Sequence, residues 1–158
     1  MELLILGKGP SKANAPTDFE GEVWGLNDLH SNLAFTRWFE LHPPGRWDAK
    51  FLREKDIPVY MQQHYPEVPK SIPYPLDKIT RKYGRYFTNS ISYMLALALD
   101  EGFKTILLYG ADFLTNTEYC HQKGSVEYFL GVARAMGVDV FIHPRSNLLK
   151  AKLYGYEV

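Results

Sequence analysis

The chain has 158 residues, 46% hydrophobic and 23% charged, with eighteen Lys plus Arg against eighteen Asp plus Glu. That length and composition make a folded globular chain with a core of its own and exclude a disordered one. Zero net charge removes the excess positive potential on which general nucleic-acid and membrane-surface binders depend. The single cysteine, Cys120, excludes an intrachain disulfide framework and a cysteine-rich zinc site. No apolar run approaches the roughly 20 residues of a membrane span. Met1 and Glu2 lead into an apolar run without a basic region or cleavage site, so no signal peptide is expected. The expectation is one domain over residues 1–158 in a reduced, cytoplasmic compartment. Aromatic residues reach 15%; that content suits a thick core and a homo-oligomer interface.

In chain order, Leu3, Leu4, Ile5 and Leu6 read as a short strand buried on both faces. The strand runs into a turn of Gly7, Lys8, Gly9, Pro10 and Ser11. The two glycines let the backbone bend sharply and approach a ligand closely. Exposed backbone amides, the Ser11 hydroxyl and Lys8 suit a phosphate or another anion; the plainer reading is a tight connection with no ligand. Residues 22–27 read as a second strand ending at Asn27, and 35–41 as a third, broken by His42, Pro43, Pro44 and Gly45. Residues 46–55 predict a helix and 57–61 a fourth strand, with Pro58 near its start. Residues 62–86 form an irregular insert. Five of the ten prolines fall between Pro58 and Pro75, and a short helix over 76–83 is expected inside it. Long irregular connections in compact domains are often functional.

Thr88, Asn89 and Ser90 supply capping candidates for the clearest helix, carried by Ile91, Met94, Leu95, Ala98 and Leu99 and ended by Gly102. Residues 105–109 read as a buried strand ending in Gly110, Ala111, Asp112 and Phe113. Residues 125–136 predict a second good helix and 138–142 the last strand. The tail from Arg145 is expected to turn at Leu148 and Leu149 and to pack back through Leu153, Tyr154 and Tyr156. Strands alternating with helices imply an α/β, Rossmann-like, three-layer fold with a mostly parallel sheet.

In such a sheet the carboxyl ends of the strands meet on one edge, where ligands bind. That edge collects Gly7 to Ser11, Asn27, Glu40 to His42, Gly110 to Asp112 and His143 to Ser146. The helix start at Thr88, Asn89 and Ser90 attracts phosphate, or is simply a cap. Asn27 reads a base or ribose through its amide, or fixes a turn. Asp112 binds ribose hydroxyls, acts as an acid or base, or caps the following loop. His121, between the Asp112 loop and the next helix, is a candidate general base; the alternative is a surface or hydrogen-bonded structural residue. Cys120 is adjacent to it, but neighbouring residues seldom face each other. No HxxxH or HxH pair exists, so no metal site is expected. The turn is neither a Walker GxxxxGK[ST] nor a GxGxxG.

Taken together these segments resemble the nucleotide-binding core of bacterial CMP-sialic-acid-dependent sialyltransferases of the Campylobacter type, and small phage-encoded proteins sharing that core. The resemblance rests on Leu6-Gly7-Lys8-Gly9-Pro10-Ser11, Asn27 after the second strand and the helix start at Thr88, Asn89 and Ser90. It continues through Gly102-Phe103-Lys104 to Gly110-Ala111-Asp112-Phe113, then Pro144-Arg145-Ser146-Asn147-Leu148. It implies a CMP-type nucleotide or nucleotide-sugar ligand with no further cofactor. The glycine turn, Asn27 and Thr88 to Ser90 would lie near phosphate and ribose, and Ser146 near the nucleotide. His121 falls in the interval of the family's catalytic His, as base toward a sugar acceptor. The family inserts a long lid after its Asp-Phe element, whereas here eight residues separate Asp112 from His121. Two functions follow: a small glycosyltransferase-like enzyme, or a non-catalytic module holding a nucleotide or nucleotide-derived signal. A third, pyrophosphoryl transfer, would need Mg²⁺ and an acidic cluster that the sequence does not show.

Overall fold

The computed structural model describes residues 1–114 and 117–157. Seven strands form one sheet in the order β5-β4-β3-β2-β1-β6-β7, every pairing parallel. They are β1 (Glu2–Leu6), β2 (Glu22–Leu26), β3 (Arg37–Phe39), β4 (Val59–Met61), β5 (Ser71–Pro73), β6 (Thr105–Tyr109) and β7 (Asp139–Ile142). The helices are α1 (Ala49–Arg53), α2 (Leu76–Tyr83), α3 (Ser90–Glu101) and α4 (Thr117–Ala135), with a 3₁₀ turn at Pro10–Asn14. This is the Rossmann-like, three-layer arrangement expected from the alternating pattern.

The sheet has a core on each face because the strand side chains alternate. Leu3 and Ile5 of β1 join Trp24, Phe39, Ile106 and Leu108 on one face, which α3 and α4 cover. Leu4 and Leu6 join Val23, Trp38, Val59 and Met61 on the other, with Leu52 of α1. Helix α3 is buried at Met94, Leu95, Ala96 and Ala98. Its limits follow local chemistry. Asn89 caps it by accepting the Ser92 N–H at 2.9 Å, and Gly102 ends it at φ +84°.

Several elements differ from the sequence expectation. The insert at 62–86 contains β5, a three-residue edge strand carrying Pro73, in addition to the expected α2. Proline is tolerated at an edge, and three residues are too few for a period to show. Helix α1 is shorter than expected because Asp48 caps it, accepting the Lys50 and Phe51 N–H groups at 2.9 and 3.3 Å. Helix α4 begins at Thr117, well before residue 125, so His121 lies on the helix and not in a loop ahead of it. The chain does turn at Leu148 and Leu149. The tail does not pack back: Leu153, Tyr154 and Tyr156 are 65, 100 and 91% exposed. Among the described residues no helix is long and apolar enough to cross a membrane.

The chain leaves β1 toward β2 to β5 on one side and returns through α3 to β6 and β7 on the other. Strand order therefore reverses between β1 and β6, the point at which open parallel sheets offer a crevice. The two turns that end these strands touch closely. A Cβ on Gly110, at φ +71°, would lie 2.2 Å from the Gly7 carbonyl oxygen, and one on Gly7 would lie 2.4 Å from that of Gly110. Both obstacles are backbone and cannot swing aside. Gly110→Ala is expected to lower stability by at least about 2 kcal/mol through strain and overlap. Chemical denaturation with an unchanged m-value would check it.

Candidate functional site

The turn after β1 is tied to the turn after β6. The Ser11 N–H donates to Asp112 Oδ2 at 2.7 Å and the Ser11 hydroxyl to Asp112 Oδ1 at 2.5 Å. The same hydroxyl accepts the Gly110 N–H at 2.7 Å. The Gly9 N–H donates to the Gly110 carbonyl at 2.8 Å. Ser11 is fully buried and Asp112 is 3% exposed. Two of the amides that the sequence offered to an anion, and the Ser11 hydroxyl, are thus engaged inside the protein. Both Asp112 oxygens hold the junction. A Cβ on Gly9 would fall 2.6 Å from Asp112 Oδ2, so that glycine serves the junction before it serves any ligand.

Ser146 continues this construction. It is buried, donates its hydroxyl to the Ala111 carbonyl at 2.6 Å and accepts the Leu148 N–H at 3.2 Å. The Asn147 N–H donates to the Asp112 carbonyl at 2.7 Å. Ser146 therefore braces the Asp112 turn from behind.

In front of the junction lies a cavity of about 790 Å³. Its walls include Lys8, Gly9 and Pro10 after β1, Asn27 after β2 and Gly110 to Leu114 after β6. Thr88 to Ile91, at the start of α3, complete it with His42 and Gln122. Of the residues singled out in the sequence, Gly9, Pro10, Asn27, Thr88, Asn89, Ser90, Gly110 and Asp112 line it. Gly7, Ser11 and Ser146 stand behind it, and His121 is exposed beside Gln122, which does line it.

Thr88 and Asn89 are partly occupied by α4. The Thr88 hydroxyl lies 2.6 Å from the Ser125 hydroxyl and donates to the Gln122 carbonyl at 3.0 Å; the Asn89 amide donates to the same carbonyl at 3.3 Å. They hold α3 against α4, leaving Ser90 and Ile91 at the helix N-terminus toward the cavity. The first amides of a helix lack intrahelical partners and carry its positive end.

Asn27 is the most exactingly placed side chain of the cavity. Its backbone sits at φ +52°, a region that asparagine enters more readily than most residues. The conformation is locked because its N–H donates to the Phe39 carbonyl at 2.8 Å and its carbonyl accepts the Trp38 Nε1–H at 3.0 Å. Its Oδ1 is buried without a protein partner. An unsatisfied buried amide oxygen costs about 1–3 kcal/mol, which a ligand donor would relieve.

A second cavity, about 550 Å³, adjoins the first and shares Lys8, Asn27 and His42 with it. It extends over Asp28, Glu40 and the segment from Gly45 to Leu52. Lys8 pairs with exposed Asp28 at 2.5 Å and holds that carboxyl below the usual range. Glu40 is buried and lies 2.6 Å from His42 Nδ1, and its Oε1 also accepts the His42 N–H at 3.1 Å. Burial pushes the Glu40 carboxyl up, against the pull of those two bonds. The sequence put Glu40 to His42 on one edge without pairing the two side chains. The Glu-x-His spacing, which lets both side chains at a strand end meet past the residue between them, was the available signal.

A crevice at the reversal of an open parallel sheet, with a helix N-terminus and a lysine at its rim, makes this a Rossmann-like protein with a candidate ligand site. No protein-family profile and no curated protein matches the chain. Solved structures do. The chain superposes on the sialyltransferase CstII from Campylobacter jejuni in complex with cytidine-5'-monophosphate with a TM-score of 0.64 at 17% identity, covering 92% of this chain and 81% of that one. CstII bound to CMP-3FNeuAc gives 0.59 at 16%, covering 89 and 79%. CST-II with a trisaccharide acceptor and CMP gives 0.62 at 17%, covering 93 and 83%. At these identities the likeness is one of fold: the chain shares the core architecture of the Campylobacter-type sialyltransferases.

Because Ser11 is a buried member of the junction, Ser11→Ala is expected to cost about 1–3 kcal/mol by orphaning Asp112 Oδ1 and the Gly110 N–H. Thermal unfolding of the variant checks this.

Proposed function

We propose that the chain is a small glycosyltransferase-like enzyme that takes a CMP-type nucleotide-sugar donor in the larger cavity, with a histidine as general base. The observation that carries the reading is the buried, unpartnered Asn27 Oδ1 at the strand-order reversal, in a cavity whose rim holds Lys8 and the start of α3. The CMP and CMP-sugar ligands of the structurally similar CstII complexes support it.

The donor's phosphate lies between Lys8, Ser90 and the first amides of α3, where positive potential converges. Asn27 accepts a hydrogen bond from the nucleoside. Gly9, Pro10 and Gly110 form a wall without bulky side chains, braced from behind by Gly7, Ser11 and Ser146. The leaving phosphate is stabilised by fixed donors and a lysine and needs no metal. The sequence resemblance implies His121 for that base, but His121 lines neither cavity. A non-catalytic nucleotide or nucleotide-signal module, of the kind a phage would encode, is the second reading. It is favoured by the four residues, 113–116, that alone separate Asp112 from α4, where the sialyltransferases insert a lid.

Calorimetric titration is expected to show CMP binding in preference to UMP and AMP. Asn27→Asp tolerates the left-handed backbone but replaces a neutral amide by a charge that repels the phosphate. It is expected to weaken CMP binding at least tenfold, about 1.4 kcal/mol. A wild-type chain that binds none of the three overturns the reading.

A further inference from the structure

Lys8, Asn27 and His42 are the residues common to both cavities, so any atom passed from one occupant to the other passes beside them. His42 is the titratable base at that junction, and it is held. Glu40, 5% exposed, lies 2.6 Å from Nδ1. A carboxylate on Nδ1 fixes the neutral tautomer with its proton there and leaves Nε2 as the acceptor nitrogen. The His42 ring is nearly half exposed, so a substrate can reach it. His121 lies on α4, outside the residues that form either wall.

The second cavity also suits an occupant. Trp47 Nε1 is buried in its wall without a partner. Together with Asn27 Oδ1 it gives the pair of cavities one unmet donor and one unmet acceptor. Phe51 and the Trp47 ring add apolar surface beside Arg46. Aromatic and polar lining of this kind fits a hydroxylated, sugar-like molecule.

We propose that the second cavity holds the acceptor, and that His42, oriented by Glu40, takes the proton from its attacking hydroxyl. This rests on the nucleotide-sugar reading of the first cavity. The acceptor oxygen forms a bond to the anomeric carbon of the donor, whose bond to the phosphate oxygen breaks. The electron pair leaves on the nucleoside monophosphate beside Lys8, and the hydroxyl proton ends on His42 Nε2. Glu40 is a positioning residue: it touches His42 and not the reacting atoms.

The test measures CMP release from CMP-N-acetylneuraminate with lactose as acceptor, alongside calorimetric CMP affinity, in wild type, His42→Ala, Glu40→Gln and His121→Ala. Circular dichroism verifies folding. His42→Ala is expected to lower turnover about 10²–10⁴-fold while CMP affinity stays within about threefold of wild type. Glu40→Gln is expected to lower kcat more than it raises the acceptor KM. The other charged groups on these walls are Lys8, paired with Asp28, and Arg46, Asp48 and Asp112. Asp48 caps α1 and Asp112 holds Ser11, and none of them changes in Glu40→Gln.

Wild-type turnover in His42→Ala, or loss in His121→Ala alone, overturns the proposal and leaves the nucleotide site intact. CMP binding without any CMP release in wild type overturns it in favour of the binding module. Absence of CMP binding removes the nucleotide reading and this proposal together.

Discussion

The contact between the turns after β1 and β6 is the constraint on which the rest depends. Two chain segments about a hundred residues apart approach backbone to backbone at Gly7 and Gly110, and Ser11 and Asp112 clasp them. Without that clasp the strand-order reversal would splay, and the crevice in front of it would lose its floor. The groups that hold it cannot also hold a ligand. A motif of this kind therefore does two jobs with different atoms. The backbone's lack of side chains permits the close approach, while the hydroxyl and carboxylate turn inward to fasten it. Lys8 and the start of α3 are left facing the cavity.

The paired cavities follow from the same edge. Turns after β1, β2 and β3 arrive side by side because β3, β2 and β1 are neighbours in the sheet. Lys8, Asn27 and the Glu40–His42 couple therefore fall in a row, although they are spread over the first 42 residues. The row separates a cavity facing α3 from one facing α1. Burial of Glu40 makes the couple directional, since a carboxylate withdrawn from water has few partners besides the imidazole that covers it. The reading of Asn27 has a similar origin. The tight pairing of β2 with β3 holds its backbone left-handed, and its amide oxygen is buried where no protein donor reaches it.

Much of the fold was legible because its elements are strongly patterned. Four consecutive apolar residues in β1, the 3.6-residue period of α3 and the glycine after it leave little freedom. The misses have physical causes. β5 is three residues long and carries a proline, so it shows no period. The first turns of α4 carry Thr117, Glu118 and Tyr119 without an apolar stripe, and the helix is recognisable only from residue 125. The tail contains Leu153, Tyr154 and Tyr156, which composition alone would bury, yet they lie in solvent, because hydrophobic character does not say whether a surface is left to pack against.

For the site, the sequence by itself determined which residues lie on the ligand edge. In a parallel sheet every residue just past a strand's end lands there, and Gly9, Asn27, Asp112 and the α3 start could be named from position alone. What only the tertiary structure decided is which of them face outward. Ser11 and Asp112 satisfy each other, Ser146 braces from behind, and His42 meets a buried Glu40. Those are matters of hydrogen-bond pairing between segments far apart in the chain, and a buried polar group takes whichever partner the fold brings within about 3 Å.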